Sequence, residues 1–347
     1  MTTRKIVLQN TDLVFYLTDF LDDISSFNLF NSNKYYNTII KTHQHRYTIK
    51  KRLDTQYDKH IILSSNYKIK MIELYYNVDA SMIEKLPNSL NYLHITIPLK
   101  ITDINIADYL HGIIKSPDKN IDKLPDNLSH LKISGDFNYS IYNLPSKLNY
   151  LEISGNFNQP IDNLPKNLKN LKLGHSFNQT LDNLPPSLEK LSLFYTSFNK
   201  PVNYLPLSLK TISFGFNFDQ PVDNLPSSLE KLSFYYKFDH PVDNLPKGLK
   251  TLIFSGGKFN QTLDNLPKGL KTLMLQKYYV KGTRFNQPID NLPPTLEKLV
   301  ISDHFNHPID KLPLTLKEVT IYSRSKQLDL SYLENAVIKM ISNNLEI

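Results

Sequence analysis

Acidic and amide side chains stand side by side at intervals along this chain: Asp162-Asn163, Asp182-Asn183, Asp223-Asn224, Asp243-Asn244, Asp264-Asn265 and Asp290-Asn291. So many oxygen donors first suggest calcium. A calcium ion takes about six to eight converging oxygens, and nothing else near each pair supplies them. Hydrogen bonding within turns is therefore the favoured reading. His43 and His45 form an isolated pair in a polar stretch and read as solvated rather than metal-bound. The chain has no cysteine, which excludes disulfides, thiolate metal sites and cysteine nucleophiles. Dinucleotide, phosphate-loop, zinc-protease and serine-hydrolase motifs do not occur. Ser, His and Asp are plentiful, but repetition explains them better than an active site does. The expectation is a non-enzyme with no cofactor and no metal.

The elements that position these residues recur with a fixed period. A Leu-Pro step places its leucine at 124, 144, 164, 184, 205, 225, 245, 266, 292 and 312, mostly 20 or 21 residues apart. Such a period signals a solenoid. Each unit is too small to bury its own apolar face, so neighbouring units must share one core. In Leu168-Lys169-Asn170-Leu171-Lys172-Leu173, the alternation at Leu171 and Leu173 reads as a short strand with one buried face. The return segment carries Pro160 and Leu164-Pro165, which disfavour a long helix. The expected fold is a leucine-rich-repeat-like curved parallel sheet, with an extended or 3₁₀ convex side.

Phe137, Phe157, Phe177, Phe198, Phe218, Phe238, Phe259, Phe285 and Phe305 keep step with the leucines. Stacked in a spine, each would contribute about 2–3 kcal/mol of apolar burial. Beside each stands Asn or Asp, from Asn138 and Asn158 through Asp219 and Asp239 to Asn306. A ladder of side chains satisfying the next coil's backbone follows.

Residues between the buried leucines point to the concave face. They include Tyr150, Lys172, Lys190, Phe194, Lys231 and Tyr235, with Tyr195 and Tyr236 beside them. Aromatic rings flanked by lysine suit a protein hot spot, although filling by residues of high β-propensity explains them equally. One repeat breaks step between Leu275 and Phe285 and inserts residues 276–284. Insertions in solenoids often carry binding, which makes Tyr278, Tyr279, Lys281 and Arg284 a candidate patch, set against a neutral insertion.

The net charge of +7 invites a nucleic-acid partner, but lysine is scattered beside Asp and Glu in nearly every repeat. A solvated basic face is favoured. No apolar run is long enough to cross a bilayer, and the start of the chain shows no secretory apolar stretch. The expectation is an intracellular, cytoplasmic protein, monomeric outside any complex, with no membrane partner.

Four regions follow. Residues 1–50 lack both Gly and Pro and form a helical module, with Leu13, Leu17, Phe20, Leu21 and Ile24 on one face. Residues 51–123 hold degenerate first repeats, Ile69-x-x-Ile72-x-Leu74 and Leu90-x-x-Leu93-x-Ile95, and an insert near 101–117 with helical spacing. Residues 124–322 are the regular array. Within 323–347, Ser331 and Glu334 make a capping box ahead of Leu333, Ala336, Val337, Met340 and Ile341, so a cap helix is expected to seal the last coil.

The segment from Asp12 to Tyr36 resembles an F-box, with Leu13, Leu17, Phe20 and Leu21 at its apolar helix positions and Asp12 at its acidic one. It departs from that motif where a Leu-Pro start is usual, having Gln9-Asn10 instead. The unit Phe157-Asn158-Gln159-Pro160-Ile161 resembles the FNIP repeat, as does Phe285-Asn286-Gln287-Pro288-Ile289. In giant-virus and social-amoeba proteins of this kind such repeats follow an F-box-like start. The resemblance implies docking on a Skp-type adaptor through Asp12, Leu13, Leu17, Phe20 and Leu21, and a substrate-recognition role in a Skp-cullin-F-box ubiquitin ligase, in a host's cytoplasm if the chain is viral. The other reading is a repeat scaffold or decoy whose N-terminal segment merely covers the first coil.

Overall fold

The computed structural model describes residues 52–53, 71–75, 86, 90–97, 124–135, 137–276, 284–302, 304–323 and 331–342. The helical module over 1–50, the helix near 101–117 and residues 277–283 of the insert lie outside them. The described strands are β1 (Arg52–Leu53), β2 (Met71–Tyr75), β3 (Tyr92–Ile97), β4 (His130–Gly135), β5 (Tyr150–Ile153), β6 (Asn170–Leu173) and β7 (Lys190–Ser192). They continue as β8 (Thr211–Ser213), β9 (Lys231–Tyr235), β10 (Thr251–Ser255), β11 (Thr272–Gln276), β12 (Lys298–Ile301), β13 (Glu318–Ser323) and β14 (Val337–Ser342). They form one sheet in sequence order, and every pairing is parallel. The fold is a parallel β-solenoid, one strand per coil.

Register follows the leucine pattern. Leu131, Leu151, Leu171 and Leu191 are ladder partners in succession, and the row continues through Ile212, Leu232, Leu252, Leu273, Leu299 and Val319. All of these are buried. A one-residue slip would turn a whole row out to solvent, so burial fixes the pairing. Behind the sheet, the Phe spine stacks at centroid spacings of 6.1 Å for Phe137–Phe157 and 6.0 Å for Phe198–Phe218, with nearly parallel planes. A second stack, Phe214–Phe234–Phe254, runs beside it at 5.5 Å.

The return side is extended chain and turns, with no helix among the described residues. Each Leu-Pro step closes a single turn, as where the Leu168 N–H donates to Pro165 O at 3.0 Å and the Leu249 N–H to Pro246 O at 3.0 Å. One such bond is the start of a 3₁₀ turn that does not propagate.

The cap helix expected over 331–341 is not formed. Residues 331–336 are turns and 337–342 are strand β14, paired in parallel with β13. The apolar residues here satisfy a helical spacing and also a two-residue alternation. The unpaired N–H and C=O groups along β13 decide between them, because buried backbone groups must find partners. The Val337 N–H donates to Lys317 O at 2.8 Å. Tyr332 pins the preceding turn: its hydroxyl donates to Ile309 O and accepts the Leu312 N–H.

Candidate binding face

The sheet face turned away from the leucine core lines the inner side of a leucine-rich-repeat horseshoe. Its side chains come in rows across the strands, and the rows differ in chemistry along the array.

At β4–β6 the face is built around a carboxylate. Glu152 is 7% exposed. It accepts a hydrogen bond from the Tyr150 hydroxyl at 2.7 Å and pairs with Lys172 at 3.1 Å and Lys132 at 3.6 Å. Burial alone would raise its pKa, but the bonds from Tyr150 and Lys172 outweigh that and hold the carboxyl below its usual range. Burial, with the neighbouring Glu152, pushes the Tyr150 phenol well above its ordinary value. The Tyr150 ring stacks on His130 at 5.6 Å, and His130 faces Tyr92 at 6.2 Å. Tyr150 and Lys172, both expected at the site, thus serve one buried acid.

At β7–β9 the row becomes Ser192, Ser213 and Ser233, in register, with Lys190, Thr211 and Lys231 in the row before it. At the C-terminal ends of these strands lies an aromatic cluster. Phe194 meets Tyr235 edge-on at 4.1 Å and Tyr195 at 4.3 Å, while Phe216 lies 6.3 Å from Phe194 and 5.7 Å from Tyr235. The local backbone explains it. The Thr196 N–H and hydroxyl both donate to Leu193 O, at 3.0 and 2.7 Å, closing a turn with Phe194 and Tyr195 at its corner. Tyr195 is 53% exposed, and burial pushes the Tyr235 phenol up.

The structure therefore brings Phe194, Tyr195 and Tyr235 together, with Lys190 and Lys231 on the same face. It adds Phe216, which follows β8 outside the strand alternation and so gave no periodic signal. It leaves Tyr236 out of the ring cluster among the described residues. Arg284 is exposed, its N–H donating to Gly257 O at 2.9 Å. Tyr278, Tyr279 and Lys281 lie outside the described residues, as do Asp12, Leu13, Leu17, Phe20 and Leu21.

The polar residues of the return side form ladders. The Asn158 N–H donates to Asn138 Oδ1 at 2.8 Å, and the series runs on through Asn178, Asn199, Asp219, Asp239, Asn260 and Asn286 to Asn306. The Asp-Asn pairs make a second ladder, with Asn183 Nδ2 donating to Asp162 Oδ1 at 3.1 Å and Asn244 Nδ2 to Asp223 Oδ1 at 3.0 Å. A third, ionic row precedes the strands: Lys169 and Lys210 flank Glu189, Lys250 pairs with Glu230, and Lys271 and Lys317 flank Glu297.

Residues 157–196, 198–237, 238–278 and 285–323 match the FNIP Repeat family model. Each match spans two coils, and together they cover just under half of the chain. No curated protein matches the chain. Among solved structures the chain is similar to CroV588, described as a novel circular LRR protein, at 26% identity over 78% of this chain and 46% of that one, with a TM-score of 0.53. It is also similar to a chain of the Drosophila Toll–Spatzle complex, at 14% identity over 84% of this chain and 43% of that one, with a TM-score of 0.54. The chain spans under half the length of either. It carries FNIP repeats folded into a leucine-rich-repeat-like solenoid.

Proposed function

We propose that this chain is a non-catalytic interaction adaptor that holds a protein target on the inner sheet face, and that its N-terminal segment docks a Skp-type adaptor as part of a Skp-cullin-F-box ubiquitin ligase. The observation that carries the first half is the change in side-chain chemistry along an otherwise constant face. The core rows repeat Leu and Phe, whereas the outward rows pass from an acid–lysine cluster to hydroxyls and an exposed aromatic group. Ridges of varied chemistry on a rigid frame suit recognition of another protein. The second half rests on the likeness of residues 12–36 to an F-box. Catalysis has no place in this reading, because Asp162, Asp223, Asp243 and Asp264 serve as acceptors in coil-to-coil ladders.

The test uses the full chain. Proteins captured by wild type are compared with those captured by Ser213→Arg, which fills the centre of the inner face, and by Lys247→Glu on the return side. The expected result is loss of a defined set with Ser213→Arg alone; retention of that set refutes the inner face as the site. Binding of a purified Skp-type adaptor is measured in parallel with Leu17→Asp. Loss supports the ligase role, and no binding by wild type leaves the scaffold reading.

A further inference from the structure

Charge is unevenly cancelled on the inner face. Lys132 and Lys172 are matched to Glu152, and Lys298 and Lys339 to Glu318 at 2.7 and 3.7 Å. Between these two clusters, over β7–β10, the outward rows hold Lys190 and Lys231, the hydroxyls of Ser192, Ser213 and Ser233, and Tyr235, with no carboxylate among the described residues. Lys190 and Lys231 are exposed and have no ion-pair partner among the described residues. The glutamates nearest them in sequence, Glu189 and Glu230, are engaged by Lys169, Lys210 and Lys250 in the ionic row.

We infer that this acid-free stretch is the docking site for an acidic, extended peptide segment whose carboxylates face Lys190 and Lys231 and whose apolar side chain enters the cluster of Phe194, Phe216 and Tyr235. The spacing sets the motif. Lys190 and Lys231 lie two strands apart, roughly 10 Å at the usual interstrand distance of about 4.8 Å. Phe194 stands four residues beyond Lys190 along the chain, roughly 13 Å at about 3.3 Å per residue. A ligand strand lying along β7–β9 therefore presents its acidic group and its apolar group about four residues apart. Between them it crosses Ser192, Ser213 and Ser233, hydroxyls that give and take hydrogen bonds with peptide groups. Protein chemistry is favoured over nucleic acid because, among the described residues of this stretch of the face, just Lys190 and Lys231 stand without a carboxylate, and the neighbouring rings lie edge-to-face, not stacked open for bases. This inference rests on the inner face being the target site.

A displayed library of random dodecapeptides is panned on the full chain, and enriched peptides are measured by fluorescence anisotropy. The expected consensus is an Asp or Glu about four residues from Phe, Leu or Met. Its affinity should fall about tenfold or more in K190E/K231E, where two attractions become repulsions, and weaken with added salt. A melting profile shared with wild type excludes misfolding of the variant. Peptides without an acid that still vanish on Ser213→Trp, a bulky neutral block, would keep the inner face but overturn the acidic partner. Peptides retained by Ser213→Trp, or none enriched at all, would remove both. Tighter binding of a twenty-nucleotide single-stranded oligonucleotide, lost in K190E/K231E, would assign the stretch to nucleic acid and overturn the inference.

Discussion

The rings of Phe194 and Tyr235 meet edge-on at 4.1 Å although their strands are not neighbours. Gly215 occupies the equivalent position on the coil between them, two residues after Ser213 as Phe194 follows Ser192 and Tyr235 follows Ser233. A Cβ added there would sit 2.4 Å from Leu193 O and 2.9 Å from Phe194 O, both backbone atoms with little freedom to move. Gly215→Ala should therefore destabilise the chain by about 1–3 kcal/mol, as overpacking does. It should also part the rings. A double-mutant cycle on Phe194→Ala and Tyr235→Ala is expected to give about 0.5–1.5 kcal/mol of coupling in the wild type and little in the Gly215→Ala background. An unchanged melting temperature in Gly215→Ala would refute the close-approach account.

The Asn ladder needs only an acceptor oxygen at each rung. Asp219 and Asp239 stand in it without breaking it, the Asp239 N–H reaching Asp219 Oδ1 at 3.3 Å and the Asn260 N–H reaching Asp239 Oδ1 at 2.9 Å. Asn199→Asp should therefore melt close to wild type. Asn199→Ala removes the acceptor for the Asp219 N–H and should cost about 0.5–1.5 kcal/mol, the net worth of one solvent-accessible hydrogen bond. Equal melting of the two variants would show that the rung carries no weight.

Much of this was legible before any coordinates. Leu171, Phe157 and Asn158 repeat so regularly that strand, spine and ladder follow from period alone. The site was legible only in pieces, because its contacts join coils about 20 residues apart that no local pattern links. Tyr150 and Lys172 were visible as outward residues, but their shared acid Glu152 emerges only when β4, β5 and β6 lie side by side. Phe216 lies off the 211/213/215 alternation and so carries no periodic signal, while Tyr236 adjoins Tyr235 in sequence but not in the ring cluster. At the far end, residues 331–342 fit two periods, and the neighbouring strand edge rather than the local sequence decides.

Acid should loosen the ionic row. Hydrogen bonds from Lys271 and Lys317, each at 2.7 Å, hold the Glu297 carboxyl down to about 2 from an ordinary value of 4.5. A depressed native pKa stabilises the fold above the unfolded value, and that contribution is lost as pH falls from about 4.5 towards 2. Glu189 and Glu318 are lowered in the same direction by their lysines. The melting temperature should fall through this window, less steeply for Glu297→Gln, and the difference should shrink in high salt because the pair is exposed. Parallel curves for the two proteins would rule out Glu297 as a contributor.

The last strand offers a direct test of strand against helix. In a cap helix, Met340 would lie on the buried face with Leu333 and Ala336. In β14 it pairs with Ile321 yet is 47% exposed, since among the described residues no further coil covers it, while Ile321 is buried. Met340→Lys should then cost under about 0.5 kcal/mol, as surface changes usually do, whereas Ile321→Lys buries an unpaired charge and should cost several kcal/mol. Urea melts of Met340→Lys and Ile321→Lys should rank the first as mild and the second as damaging. A strongly destabilising Met340→Lys would restore the helix.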